Sequence, residues 1–125
     1  MAKETIKHYK ASAEFYISED CYINELWNSA TDTEVSIARA RVLPAVTTKW
    51  HRLEGIVERY VILEGQGRVE IGGQPATQVT AGDVVVIPAM SAQRIANTGS
   101  EDLVFLAICS PRFVQSAYQE LLDET

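Results

Sequence analysis

The chain has 125 residues, of which 46% are hydrophobic and 22% charged, and 17 Asp and Glu against 11 Lys and Arg give it a formal net charge of −6. That length supports one core rather than two. The acidic balance repels a phosphate backbone, which argues against nucleic acid as a partner. The longest apolar runs, 84–87 and 103–109, are far short of a membrane span. No membrane association is expected, and because the opening Met1-Ala2-Lys3-Glu4-Thr5 is charged where a secretory signal would be apolar, the default location is cytoplasmic.

Taken in chain order, residues 1–12 are polar and expected to be mobile. Residues 13–30 carry Phe15, Tyr16, Cys21, Tyr22, Ile23, Leu26 and Trp27, too apolar for a free tail. They predict a strand or irregular arm, spanning 1–34 in all, that lies against the core, with 28–33 as the loop before the first core strand. From 35 to 109 short apolar segments are cut by turn residues, the pattern of an all-β antiparallel sandwich or barrel. Residues 36–43 stop at Pro44; 59–63 run into the turn 64–67; 68–71 lead back to Gly72-Gly73; and 78–79 precede the turn 80–83. The most hydrophobic strand, 84–87, is ended by Pro88, which cannot donate to a ladder, and 94–96 and 103–108 flank the turn 97–99. Beyond Ser110 as N-cap and Pro111 as first helical residue, Val114, Ala117, Tyr118, Leu121 and Leu122 recur three and four apart. That spacing predicts a short amphipathic helix over 110–125, which either covers an open barrel edge or packs on a second subunit.

Two groups of residues stand out within 35–109: His51, Leu53, Glu58 and Gly65, and then Gly82, Pro88, Met90, Gln93 and Asn97. Their spacing resembles the two motifs of the cupin superfamily, G-x5-H-x-H-x(3,4)-E-x6-G and G-x5-P-x-G-x2-H-x3-N, as found in small single-domain conserved-barrel cupins. The resemblance implies a double-stranded β-helix, or jelly-roll, barrel and a small-molecule ligand. It also implies a homodimer, for which the leftover apolar ends would supply contacts. In metal-binding cupins the two first-motif histidines, the glutamate and the second-motif histidine converge on a divalent ion. Here His51 and Glu58 match, Leu53 replaces the second histidine and Gln93 the third. With only His8 and His51 in the chain, no three-histidine site can form in one subunit. The side-chain carbonyl of Gln93 can serve as a neutral oxygen ligand, so His51, Glu58 and Gln93 either hold a divalent metal ion weakly or contact the ligand directly.

What the resemblance implies chemically is broad, from oxygenase and isomerase to epimerase, decarboxylase and lyase, and the fold does not choose among them. As an enzyme, the protein would use His51 as general base or acid with Glu58 orienting it. As a binding or regulatory cupin it would have lost its metal, a reading that Leu53 and Gln93 favour. Each candidate has a structural alternative: a hydrogen-bonded imidazole for His51, an internal salt bridge for Glu58, and a polar contact to water for Gln93. Trp50 and Tyr60 either line the cavity against a planar ligand or belong to the core. Arg39 and Arg41 share one strand face and form an anion-binding wall if it is the interior or solvated charges if it is the outer one, which is favoured, and Arg52, Arg59 and Arg94 alternate away from the motif residues. Cys21 and Cys109 are too few for a disulfide framework and are expected as reduced thiols, Cys109 as a buried small hydrophobe with a ligating role in reserve.

Overall fold

Alternating burial organises the chain into two antiparallel sheets in the computed structural model, which describes residues 3–123. Residues 1–2 and 124–125, the extreme ends of the predicted arm and helix, lie outside the described residues. The strands are β1 (Phe15–Ile17), β2 (Cys21–Ser29), β3 (Asp32–Val42), β4 (His51–Leu53), β5 (Val57–Glu64), β6 (Gln66–Ile71), β7 (Thr77–Thr80), β8 (Val84–Ile87), β9 (Gln93–Asn97), β10 (Leu103–Ser110) and β11 (Tyr118–Glu120). One sheet is ordered β1-β2-β3-β10-β5-β8 and the other β11-β4-β9-β6-β7.

The period of two explains which side chains meet between the sheets. On β5, Glu58, Tyr60 and Ile62 turn inward while Arg59, Val61 and Leu63 turn out; on β8, Val85 and Ile87 are buried and Val84 and Val86 are each 59% exposed. Val42, Ile62, Ile87 and Leu103 of the larger sheet and Val69, Val79 and Ile95 of the smaller one form a common core, each such side chain contributing about 1.5–3 kcal/mol by leaving water. Gly65 closes the β5–β6 hairpin at φ +85°, where a Cβ would lie 2.6 Å from the Asp102 carbonyl oxygen. Glycine alone meets both demands.

The ends depart from the sequence reading. The arm is part of the larger sheet: β1 pairs with β2 and β2 with β3, so the predicted loop 28–33 shrinks to the turn between Ser29 and Asp32. Glu14 fastens the arm by accepting from Arg41 Nε and Nη2 at 3.0 and 2.6 Å, and Arg41 also reaches Asp102 and lies over the Tyr22 ring. Arg39 joins the same carboxylate at 3.6 Å, so both arginines occupy the outer face. Within the polar segment expected to be mobile, the Lys10 carbonyl accepts Asn24 Nδ2 at 2.8 Å.

The predicted C-terminal helix is corrected. Residues 115–117 make only a 3-10 turn, after which β11 pairs with β4 through Tyr118↔Leu53 and Glu120↔His51. Leu122, on the predicted apolar face, is fully exposed, and Val114 is exposed as well. The open edge of the three-residue β4 offers unpaired backbone groups that an added strand satisfies, and this outweighs a weak local helical periodicity.

Candidate functional site

Between the sheets lies a cavity of about 220 Å³. Since an enclosed apolar cavity of about 150 Å³ holds benzene, this one suits a single small ring compound. Its walls come from four sources, one of them the inner face of β3 and β10 with Ala38, Ala40, Phe105 and Ala107. The motif strands give His51, Leu53, Glu58 and Tyr60, the arm gives Phe15, Ile17, Glu19 and Cys21, and the C-terminal segment gives Phe113 and Tyr118.

His51 is 3% exposed. Its Nδ1 lies 3.0 Å from the Lys49 carbonyl and 3.2 Å from Glu19 Oε1, and its ring stacks on Tyr118 with centroids 5.1 Å apart. A carbonyl can only accept, so Nδ1 carries the proton and Nε2 keeps its lone pair. Burial holds the imidazole below its ordinary value of 6.5, partly opposed by the Lys49 carbonyl, and leaves it neutral at pH 7.

Glu58 is 8% exposed, and its two oxygens are unequally served. Oε2 accepts the Cys109 thiol at 3.8 Å, whereas Oε1 is buried without a hydrogen-bond partner. Burial pushes this carboxyl up to about 7, opposed by the nearby Gln93 amide, which makes no hydrogen bond to Oε1, and by the Cys109 thiol. Glu19 is also raised well above the carboxylate range, first by burial and then by the neighbouring Glu58 and Asp20. The Tyr118 hydroxyl is a second buried polar atom with no partner. Burial pushes both cysteine thiols up, so Cys21 and Cys109 remain protonated and unreactive.

Gln93 sits directly opposite His51 in register but behind the cavity wall, its Oε1 accepting the Tyr60 hydroxyl at 2.6 Å. Tyr60 in turn packs on Phe105 with centroids 4.4 Å apart. Trp50 does not line this cavity. Its neighbour His51 points in, so Trp50 points out, where Arg94 lies 4.4 Å from its ring and pairs with Glu70. Arg52 and Arg59 also face away, bonded to Gln119 and Ser110.

A model described as "Cupin domain" matches residues 38–109. The chain belongs to the cupin family. An oxalate-binding protein of Thermotoga maritima is 37% identical to this cupin over 71 residues, 57% of this chain and 58% of that protein, so the match spans less than two thirds of that relative's length. A Thermotoga maritima structure described as a predicted oxalate decarboxylase superimposes with TM-score 0.75 at 27% identity, covering 84% of this cupin and 99% of that chain. An uncharacterized conserved protein with a double-stranded β-helix domain from Klebsiella pneumoniae superimposes with TM-score 0.77 at 12% identity, covering 96% and 100%. The last likeness bears on fold alone: this cupin is an all-β double-stranded β-helix barrel.

A divalent ion held as a resident cofactor does not fit the donors of this cupin. Leu53 presents hydrocarbon at the second-histidine position, and the one side-chain oxygen of Gln93 already accepts from Tyr60. Among the described residues no three His, Cys, Asp or Glu side chains converge on a common point. What remains is His51 Nε2 and Glu58, two donors where stable sites use at least three. Glu19 and Tyr118 are two polar wall residues that the sequence reading missed. Glu19 lies in the segment that reads as a strand or irregular arm, and Tyr118 on the apolar face of the predicted helix. The only signal was the excess apolarity of the segments around them.

Proposed function

We propose that this cupin binds one small organic molecule between its sheets, with His51 Nε2 and Glu58 as polar contacts and Tyr60, held in place by Gln93, as part of the apolar wall. The observation that carries this reading is Glu58 Oε1, buried on the cavity wall without a partner. An unsatisfied buried acceptor costs on the order of 1–3 kcal/mol, which a ligand donor would relieve. Ligand-observed NMR against small ring compounds tests it, using Ala38→Phe to narrow the cavity. Binding that this variant abolishes supports the reading, and binding that it leaves untouched refutes it.

One feature favours a second, catalytic reading. A neutral imidazole with a free Nε2 and a carboxyl raised to about 7 share one cavity, which is the pairing that general acid–base chemistry at neutral pH requires. His51 would take a proton from the substrate and Glu58 would return one. A screen of small acids, phenols and sugars for turnover lost in His51→Ala tests this role. We further place the protein in the cytoplasm as a homodimer. No helix among the described residues is long and apolar enough to cross a membrane. The partner would cover the outer face of the larger sheet, where Leu106, Val61 and Val84 are aligned in register.

A further inference from the structure

We propose that the cavity selects a small organic ammonium ion with an apolar body, and not a carboxylate such as oxalate. This rests on the reading of the cavity as a ligand site. Its lining contains Glu19 and Glu58, with the exposed Glu25 beside them, and no lysine or arginine. The nearby guanidinium groups are committed elsewhere: Arg39 and Arg41 to Glu14, Arg52 to Gln119, and Arg59 to Ser110. A dianion would therefore enter a largely buried, acid-lined space without a countercharge, which electrostatics disfavours.

The polar atoms available to a ligand, the unpartnered Tyr118 hydroxyl included, can each accept a hydrogen bond, Glu58 as the carboxylate that a bound cation would stabilise. Glu58 Oε1 has no partner, and His51 Nε2 carries a lone pair because Nδ1 faces the Lys49 carbonyl. Glu19 Oε1 lies at the other edge of the imidazole, 3.2 Å from Nδ1, and adds acidic character to the wall without joining the other two at one point. An ammonium group can donate to His51 Nε2 or Glu58 Oε1 and brings a positive charge to the acidic wall. Phe15, Tyr60, Phe105, Phe113 and Tyr118 line the same space and offer ring faces that attract both a cation and its hydrocarbon body. The net charge of −6 acts in the same sense on a cation approaching from solvent.

Titration calorimetry with benzylammonium, benzyl alcohol, benzoate and oxalate separates charge from size. Benzylammonium is expected to bind wild type at least about tenfold more tightly than benzyl alcohol, with benzoate and oxalate weaker still. Glu58→Gln should bring the ammonium and the alcohol to within about threefold of each other, and Glu19→Gln should narrow the gap in part. If the alcohol, benzoate or oxalate equals or exceeds the ammonium, and Ala38→Phe still abolishes its binding, the charge assignment is overturned while the cavity reading stands. An ammonium preference unchanged in both glutamine variants also overturns it. Binding of none of the four at millimolar concentration, or binding that survives Ala38→Phe, overturns both.

Discussion

Replacing Glu58 with glutamine keeps the shape of the side chain and removes its ability to ionise. Burial raises the carboxyl from its ordinary 4.5 to about 7, so between these values the folded protein retains a proton that the unfolded chain releases. The stability this group contributes is fully present below pH 4.5, declines as pH rises through that interval, and is gone above about 7. At about 1.4 kcal/mol for each tenfold difference in proton affinity, the decline amounts to about 3 kcal/mol. Glu58→Gln should therefore gain about 3 kcal/mol relative to wild type on going from pH 4.5 to pH 8. The readout is that change and not the value at either pH, because the new amide beside Cys109 contributes a constant term of its own. His51 acts in the opposite sense. Held below 6.5, its contribution is full above that pH and is lost as pH falls through the lower folded value, but it is common to both proteins and largely cancels. Urea unfolding followed by tryptophan fluorescence at four pH values measures the difference. Parallel pH profiles for the two proteins would refute the claim that Glu58 is a desolvated carboxyl whose burial is only partly compensated.

Other expectations concern the frame and the donor set. Gly65→Ala should cost more than about 2 kcal/mol in urea unfolding, since the methyl meets the Asp102 carbonyl and the residue sits at positive φ; a loss below about 0.5 kcal/mol would contradict the backbone geometry. The double variant Leu53→His and Gln93→His should take up close to one manganese or nickel ion per chain after dialysis, while wild type stays well below that. Equal uptake by the two in elemental analysis would show that the native donors suffice. Wild type should sediment as a dimer at micromolar concentration, and Val84→Asp with Val86→Asp as a monomer with an unchanged circular dichroism spectrum. A monomeric wild type defeats that interface.

The all-β class and the motif strands were legible in the sequence because a pleated strand buries alternate residues, and Glu58, Tyr60, Ile62, Val85 and Ile87 carry that period on their surface. The turns were legible where glycine or proline leaves little conformational choice, as at Gly65 and Pro88. The same alternation placed His51 inside and the arginines beside the motifs outside. Three things required the tertiary structure. Glu19 and Tyr118 reach the cavity from segments far from the motifs, and nothing within a few residues of either records what lies across the barrel. Gln93, read as a ligand contact, gives its oxygen to Tyr60, a commitment that depends on two strands from different sheets meeting. The C-terminal segment, helical by its spacing, became β11 because the edge of β4 needed partners for its backbone. Local pattern reports which side of a chain must leave water; what it packs against is decided by pairings between residues distant in the chain.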